Sequence, residues 1–224
     1  MANDYIAVLD ADACVDAGKV IHDGTSHLSL LLLHFKQTYI HEFVRNEIKP
    51  IRPTKYKDVR SHVEDLIAAG IVIPYTDEDL LLLLQSHLGN ESVSCMVYIG
   101  FLSTALGMLQ KNHPLVVVYN DITSKSYGNI KGLLSDLVFH EKKLRQDYGT
   151  GEIKTIVLLQ VIDFIKNKDE QINLFVSNDK KARKLLTGTK SEVISCSSIA
   201  SFILLRETRF AKSDCIVYFN TYTG

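Results

Sequence analysis

At 224 residues, 46% of them hydrophobic and 23% charged, the chain has the makeup of a globular protein with room for a sizeable core. A net charge of −1 excludes a polycation, so any grip on nucleic acid must come from local basic patches. Cys14, Cys95, Cys196 and Cys215 lie far apart with no Cys-x-x-Cys spacing, which argues against a zinc site or a disulfide framework and for reduced thiols in a cytoplasmic protein.

In chain order, the sequence predicts alternating strands and helices. "MANDYIAVLD" lacks the pattern of a signal peptide, and its apolar run Ile6–Leu9 reads as a buried strand. "LSLLLLHF" reads as a helix packed on a sheet, "QTYIHEFV" as a strand, and Pro50 and Pro53 stop regular structure after it. "KDVRSHVEDLIAAG" has helical spacing and ends at Gly70; "IVIPY" is a short strand. "TDEDLLLLLQSHL" is a helix capped by Thr76 or Asp77, with Leu80 to Leu84 as core or an oligomer contact, and a longer helix follows Gly89-Asn90.

"PLVVVYND" reads as a strand, and two helical segments follow on either side of "GTGE". "INLFVSND" and "EVISCSS" are strands flanking the helix "KKARKLLTG"; "IASFILLRETRF" is a helix and "CIVYFNTY" a terminal strand. This alternation predicts an α/β fold, a three-layer α/β/α arrangement with a mostly parallel central sheet, as one domain over 1–224. The runs "LSLLLLHF" and "LLLLLQ" are too short to span a bilayer.

Functional groups of a parallel sheet gather at the carboxyl ends of its strands. Asp10 ends the first strand, Asp179 ends "INLFVSND", Asp121 ends "PLVVVYND", Glu47 closes "FVRNEI" and Glu91 opens a helix. Gathering carboxylates is costly because they repel one another; Mg²⁺ or Mn²⁺ removes the cost and prefers hard oxygen ligands.

This pattern resembles the PIN domain, a family of metal-dependent nucleases, at four places. "IAVLDADACV" is similar to its first motif and points to Asp10, with Asp12 alongside. "YIHEFVRNEI" is similar to the second and points to Glu47; "LGNESVSCMVYIGFL" to the third and Glu91, with Ser94 where a further acid usually stands. "LFVSNDKKARKLL" is similar to the fourth and points to Asp179, with Ser177 and Asn178 beside it and Asp121 as the alternative acid. The resemblance covers roughly residues 5–112 and 170–205 and makes about 113–169 an insertion.

The resemblance implies divalent-metal-assisted hydrolysis of phosphodiester bonds, mostly in single-stranded RNA. Asp10, Glu47, Glu91 and Asp179 would be ligands, and Ser177 would orient a ligand or water. Small members often serve as toxins, which implies an antitoxin-like or regulatory protein partner. Arg52, Lys55 and Lys57, with Tyr56 for base stacking, and Lys180, Lys181 and Arg183 beside the fourth motif are candidate phosphate contacts. Solvated helix faces give the same pattern.

Other readings stay open. Asp12 reads equally as a cap of the following turn or helix. Cys14 reads as a small buried thiol. "VLDADACV" also resembles the nucleophile loop of haloacid-dehalogenase-like phosphatases, with Asp10 as nucleophile, Asp12 as general acid and "FVSN" as a second motif. That reading has Cys14 where Thr or Val is expected, and leaves Glu47 and Glu91 unused. A third reading is a PIN-like interaction module with a degenerate metal site.

Overall fold

The computed structural model describes residues 5–19, 21–22, 25–33, 35–48, 58–144, 149–165, 172–177 and 192–194. The chain divides into two compact units. One, the sheet unit, comprises Met1–Ile40, Arg45–Pro74 and Glu170–Gly224; the other, the helical unit, comprises His41–Val44 and Tyr75–Asp169.

Strand β1 (Tyr5–Leu9) leads into α1 (Ala11–Lys19), the hairpin β2 (Ile21–His22) and β3 (Thr25–Ser26), and α2 (His27–Leu32). Then come β4 (Gln37–His41), α3 (Glu42–Glu47), α4 (Val59–Ala68) and β5 (Val72–Tyr75). Helices α5 (Asp77–Leu88), α6 (Glu91–Leu106), α7 (Pro114–Thr123), α8 (Ile130–Glu141) and α9 (Thr150–Ile165) follow, before β6 (Ile172–Val176) and β7 (Glu192–Ile194).

The main sheet has the order β5-β4-β1-β6-β7, and β1 pairs in parallel with both β4 and β6, as β6 does with β7. The expected class, α/β with a mostly parallel central sheet of the three-layer kind, is therefore what the chain adopts. Ile6, Ala7, Val8 and Leu9 are all buried. Such an unbroken apolar run is the mark of a central parallel strand covered on both faces. Helix α1 packs on α2 and α4. A Cβ on Gly18 would meet Val59 Cγ1 at 2.9 Å, so α1 and α4 approach closely only because position 18 lacks a side chain.

The helical unit is organised around α6, which packs on α5, α7, α8 and α9. Thr76 and Asp79 form a reciprocal capping box at the start of α5, and Gly89 ends that helix in the left-handed region at φ 71°. One segment differs from the sequence expectation. "PLVVVYND" is not a strand but most of α7: His113 Nδ1 accepts the N–H of Leu115, and Pro114 occupies the first turn. Leu115, Tyr119 and Ile122 form its buried stripe while Val117 is exposed, a helical period that outweighs the β-branched composition. The strand predicted over "QTYIHEFV" likewise stops at His41, where Glu42 opens α3. Among the described residues no helix is long and apolar enough to cross a membrane.

A buried charge network ties the helical unit together. Lys154 of α9, fully buried, places Nζ 2.5 Å from Asp77 Oδ2 and 2.5 Å from Glu141 Oε1. His41 Nε2 lies 3.2 Å from Asp77 Oδ1, the Tyr98 hydroxyl donates to the same oxygen, and Tyr119 donates to Glu141 Oε1 at 2.8 Å. Burial alone would raise the Asp77 carboxyl, but the Lys154 ammonium and His41 hold it well below the usual carboxylate range. Burial would likewise lower Lys154; Asp77, with Tyr119, Tyr98 and Glu141, reverses this and keeps it charged.

Candidate functional site

Asp10 follows β1 directly and opens α1. Its backbone N–H donates to Val176 O at 3.1 Å, extending the ladder with β6 by one step, and its carbonyl accepts from Cys14 N at 3.2 Å as the first bond of α1. Its side chain turns back so that Oδ1 accepts from Ala11 N at 2.8 Å. An Asp at this junction satisfies a helix-start donor and places negative charge at the positive end of the helix dipole. The strand-to-helix geometry thus holds Asp10 in one orientation, 4% exposed.

Ser177 follows β6 and is fully buried. Register sets its place: Leu9 lies opposite Val176, so the residues after these two strand ends are neighbours. Ser177 Oγ stands 2.9 Å from Asp10 Oδ2, and 3.2 and 3.3 Å from the two oxygens of Asp12 in the first turn of α1. One hydroxyl proton serves one acceptor at a time, so this oxygen is a pivot between two carboxylates.

The location has a topological reason. From β1 the chain builds β4 and β5 to one side, then returns to build β6 and β7 on the other. The strand order reverses between β1 and β6, the crevice where open α/β sheets bind ligands at their carboxyl ends. Asp10, Asp12 and Ser177 stand at the mouth of that crevice.

The other predicted residues fall as follows. Glu47 is the last residue of α3, the helix that follows the carboxyl end of β4, and is half-buried. Glu91, Ser94 and Asp121 belong to the helical unit. Glu91 opens α6 and accepts from the N–H of Ile130 at 3.1 Å and from Gln85 Nε2 at 3.5 Å, tying the start of α8 to α6. Ser94 is buried and donates to Asn90 O at 2.7 Å. Asp121 is exposed on α7, not at a strand end. Asn178, Asp179, Lys180, Lys181, Arg183, Arg52, Lys55 and Lys57 lie outside the described residues.

Among the described residues no group of three or more His, Cys, Asp and Glu side chains is placed to hold a metal ion. The pair Asp10–Asp12 still suits a hard divalent cation: Mg²⁺ is commonly bound through one or two carboxylates while it keeps several waters. Thioether and imidazole chemistry is not part of this donor set, which favours Mg²⁺ or Mn²⁺ over softer metals.

Sequence reading picked out Asp10 with Asp12 alongside, and Ser177 as a residue that would orient a ligand or water at their site. It did not find the Lys154 network, for which the one local signal is a lysine inside the otherwise mostly apolar run "IKTIVLLQVI" of α9. No family model matches the chain, and no curated protein or solved structure does either.

Proposed function

We propose that the chain is a divalent-cation-dependent nuclease that hydrolyses phosphodiester bonds, with single-stranded RNA as its substrate. The observation that carries this reading is the convergence of Asp10 and Asp12 on Ser177 Oγ at the point where the strand order reverses. The residue types and their order along the chain resemble the PIN-like nuclease motifs, with Ser94 in place of a further acid.

In this reading Asp10 and Asp12 hold Mg²⁺ or Mn²⁺, and Glu47 and Asp179 complete the acidic set. The cation supplies Lewis acidity toward the phosphoryl group and makes water acidic enough to react at neutral pH. Asp10 is fixed by the bonds at the β1–α1 junction, so it binds without first having to be ordered. Ser177 sets the orientation of both carboxylates, a positioning role of the kind that tunes metal affinity from behind the ligands. Lys180, Lys181 and Arg183 supply phosphate contacts directly after the acidic motif. A toxin-type endoribonuclease governed by a small partner protein is the biological setting this chemistry fits.

The same convergence also favours one rival. A phosphatase with Asp10 as nucleophile needs Asp12 and a strand-end hydroxyl close by, and Ser177 meets that need. Cleavage of labelled single-stranded RNA and of p-nitrophenyl phosphate, each with Mg²⁺, Mn²⁺ or EDTA, separates the two. The nuclease reading expects EDTA-sensitive RNA cleavage that Asp10→Asn abolishes. Turnover of the phosphomonoester alone would favour the phosphatase, and turnover of neither would favour an interaction module.

A further inference from the structure

The helical unit has a second concave feature, unconnected to the nuclease reading. A cavity of about 530 Å³ is lined on one side by Phe43 and Thr76–Glu78 and on the other by α8. That volume falls in the range of small-molecule sites. Its apolar wall is Phe43 with Leu134, Leu137 and Val138. Its polar lining includes the outer edge of the Lys154 network, Asp77 and Glu141, whose side chains are 11% and 8% exposed.

The two Glu141 oxygens are used unequally. Lys154 Nζ and the Tyr119 hydroxyl both engage Oε1, and among the described residues no donor reaches Oε2. Glu141 is thus held rigidly by one oxygen and lines the cavity with an acceptor to spare. Charge points the same way. Glu42, Asp77, Glu78 and Glu141 line the cavity, against Lys142 in the lining and Lys154 beneath it. Even a protonated His41 leaves negative charge in excess. The apolar wall disfavours a hydrated metal ion, which would gain nothing from Phe43 or the leucines. An organic cation satisfies both halves: its charge pairs with a preorganised, largely desolvated carboxylate, and its stem covers the aliphatic wall.

We infer that this cavity binds a small organic cation, a primary amine or guanidine on a short alkyl stem, with its charged end on Glu141 Oε2. Isothermal titration calorimetry on the full chain with n-pentylamine and n-butylguanidine, alongside n-pentanol and pentanoate, tests it. Saturable one-to-one binding of at least one cation is expected, at least about tenfold tighter than n-pentanol, with no binding of pentanoate.

Glu141→Gln should weaken the cation by about tenfold or more; because Glu141 also pairs with Lys154, this variant can fail to fold. Leu134→Trp fills the cavity from a half-buried position and should abolish binding while leaving the circular dichroism spectrum and thermal midpoint near wild type. Failure of both cations to bind saturably, equal binding of pentanoate, or binding that survives Leu134→Trp overturns the inference.

Discussion

The two units gather acids in opposite ways. In the helical unit Asp77 and Glu141 are bridged by Lys154 Nζ, a full positive charge inside the fold. In the sheet unit Asp10 and Asp12 are bridged by Ser177 Oγ, a hydroxyl that fixes geometry but brings no charge of its own. The first bridge lies in a helix-packed interior; the second lies at a strand end where the sheet topology opens a crevice. An ammonium bridge is a structural device, since Asp77 and Lys154 hold each other charged inside the fold. A hydroxyl bridge aligns the two carboxylates without adding a charge.

Removing each bridge should therefore give different phenotypes. Lys154→Met leaves two buried carboxylates without their ammonium, and should lower unfolding free energy by about 3–5 kcal/mol in urea titration. The pH profile carries the same signature. The Asp77 carboxyl is held below its unfolded value, so its contribution is present above about pH 4 and fades as pH falls further. Burial, first of all, raises the Tyr98 and Tyr119 hydroxyls, and the carboxylates beside Lys154 raise its ammonium. Those contributions are present below about pH 10 and fade as pH rises beyond it. Thermal midpoints across this range should fall at both ends in wild type, and the acid limb should be shallower in Lys154→Met.

In the sheet unit the loss should be functional. Asp10→Asn should reduce RNA cleavage by about 10³-fold, the scale of several kcal/mol of charge stabilisation, as read from initial rates. Ser177→Ala should cost about 10–100-fold in activity or metal affinity, yet only about 1 kcal/mol in stability. A Ser177→Ala variant that loses several kcal/mol of stability, yet keeps full activity under conditions where it is folded, would erase the distinction between the bridges.

Ordinary contacts set the lower end of the scale. Thr76→Ala removes the capping box of α5 and should cost about 1 kcal/mol by urea titration. Arg45→Ala breaks the paired bonds to Glu64, at 2.8 and 2.6 Å, between side chains that are each about a third exposed. The Arg45 hydrogen bond lowers the Glu64 carboxyl, but solvent screens it, so the change should stay below about 1 kcal/mol.

What the sequence made legible follows the range of the forces involved. The buried run of β1, the Gly70 end of α4, the Thr76 cap of α5, and Asp10 at a strand end are local signals, and each has its expected place. "PLVVVYND" misleads because a short Val-rich run satisfies strand composition, while its helix signals, His113 as cap and Pro114 at the first position, sit at its edge. Lys154 pairs with Asp77, 77 positions away in the chain, and no periodicity marks such a pairing. Ser177 and Asp10 are 167 apart, and become neighbours only through the parallel pairing of β1 with β6.

The central claim, that the carboxylates at the β1–β6 crevice hold a divalent cation, is tested most directly by Mn²⁺ binding. Electron paramagnetic resonance of free Mn²⁺, titrated with wild type, Asp10→Asn and Asp12→Asn, measures it without relying on turnover. Saturable binding by wild type, lost or weakened at least tenfold in Asp10→Asn and displaced by Mg²⁺, is the expected result. Equal Mn²⁺ binding by wild type and by a folded Asp10→Asn variant, or none by wild type, would contradict it.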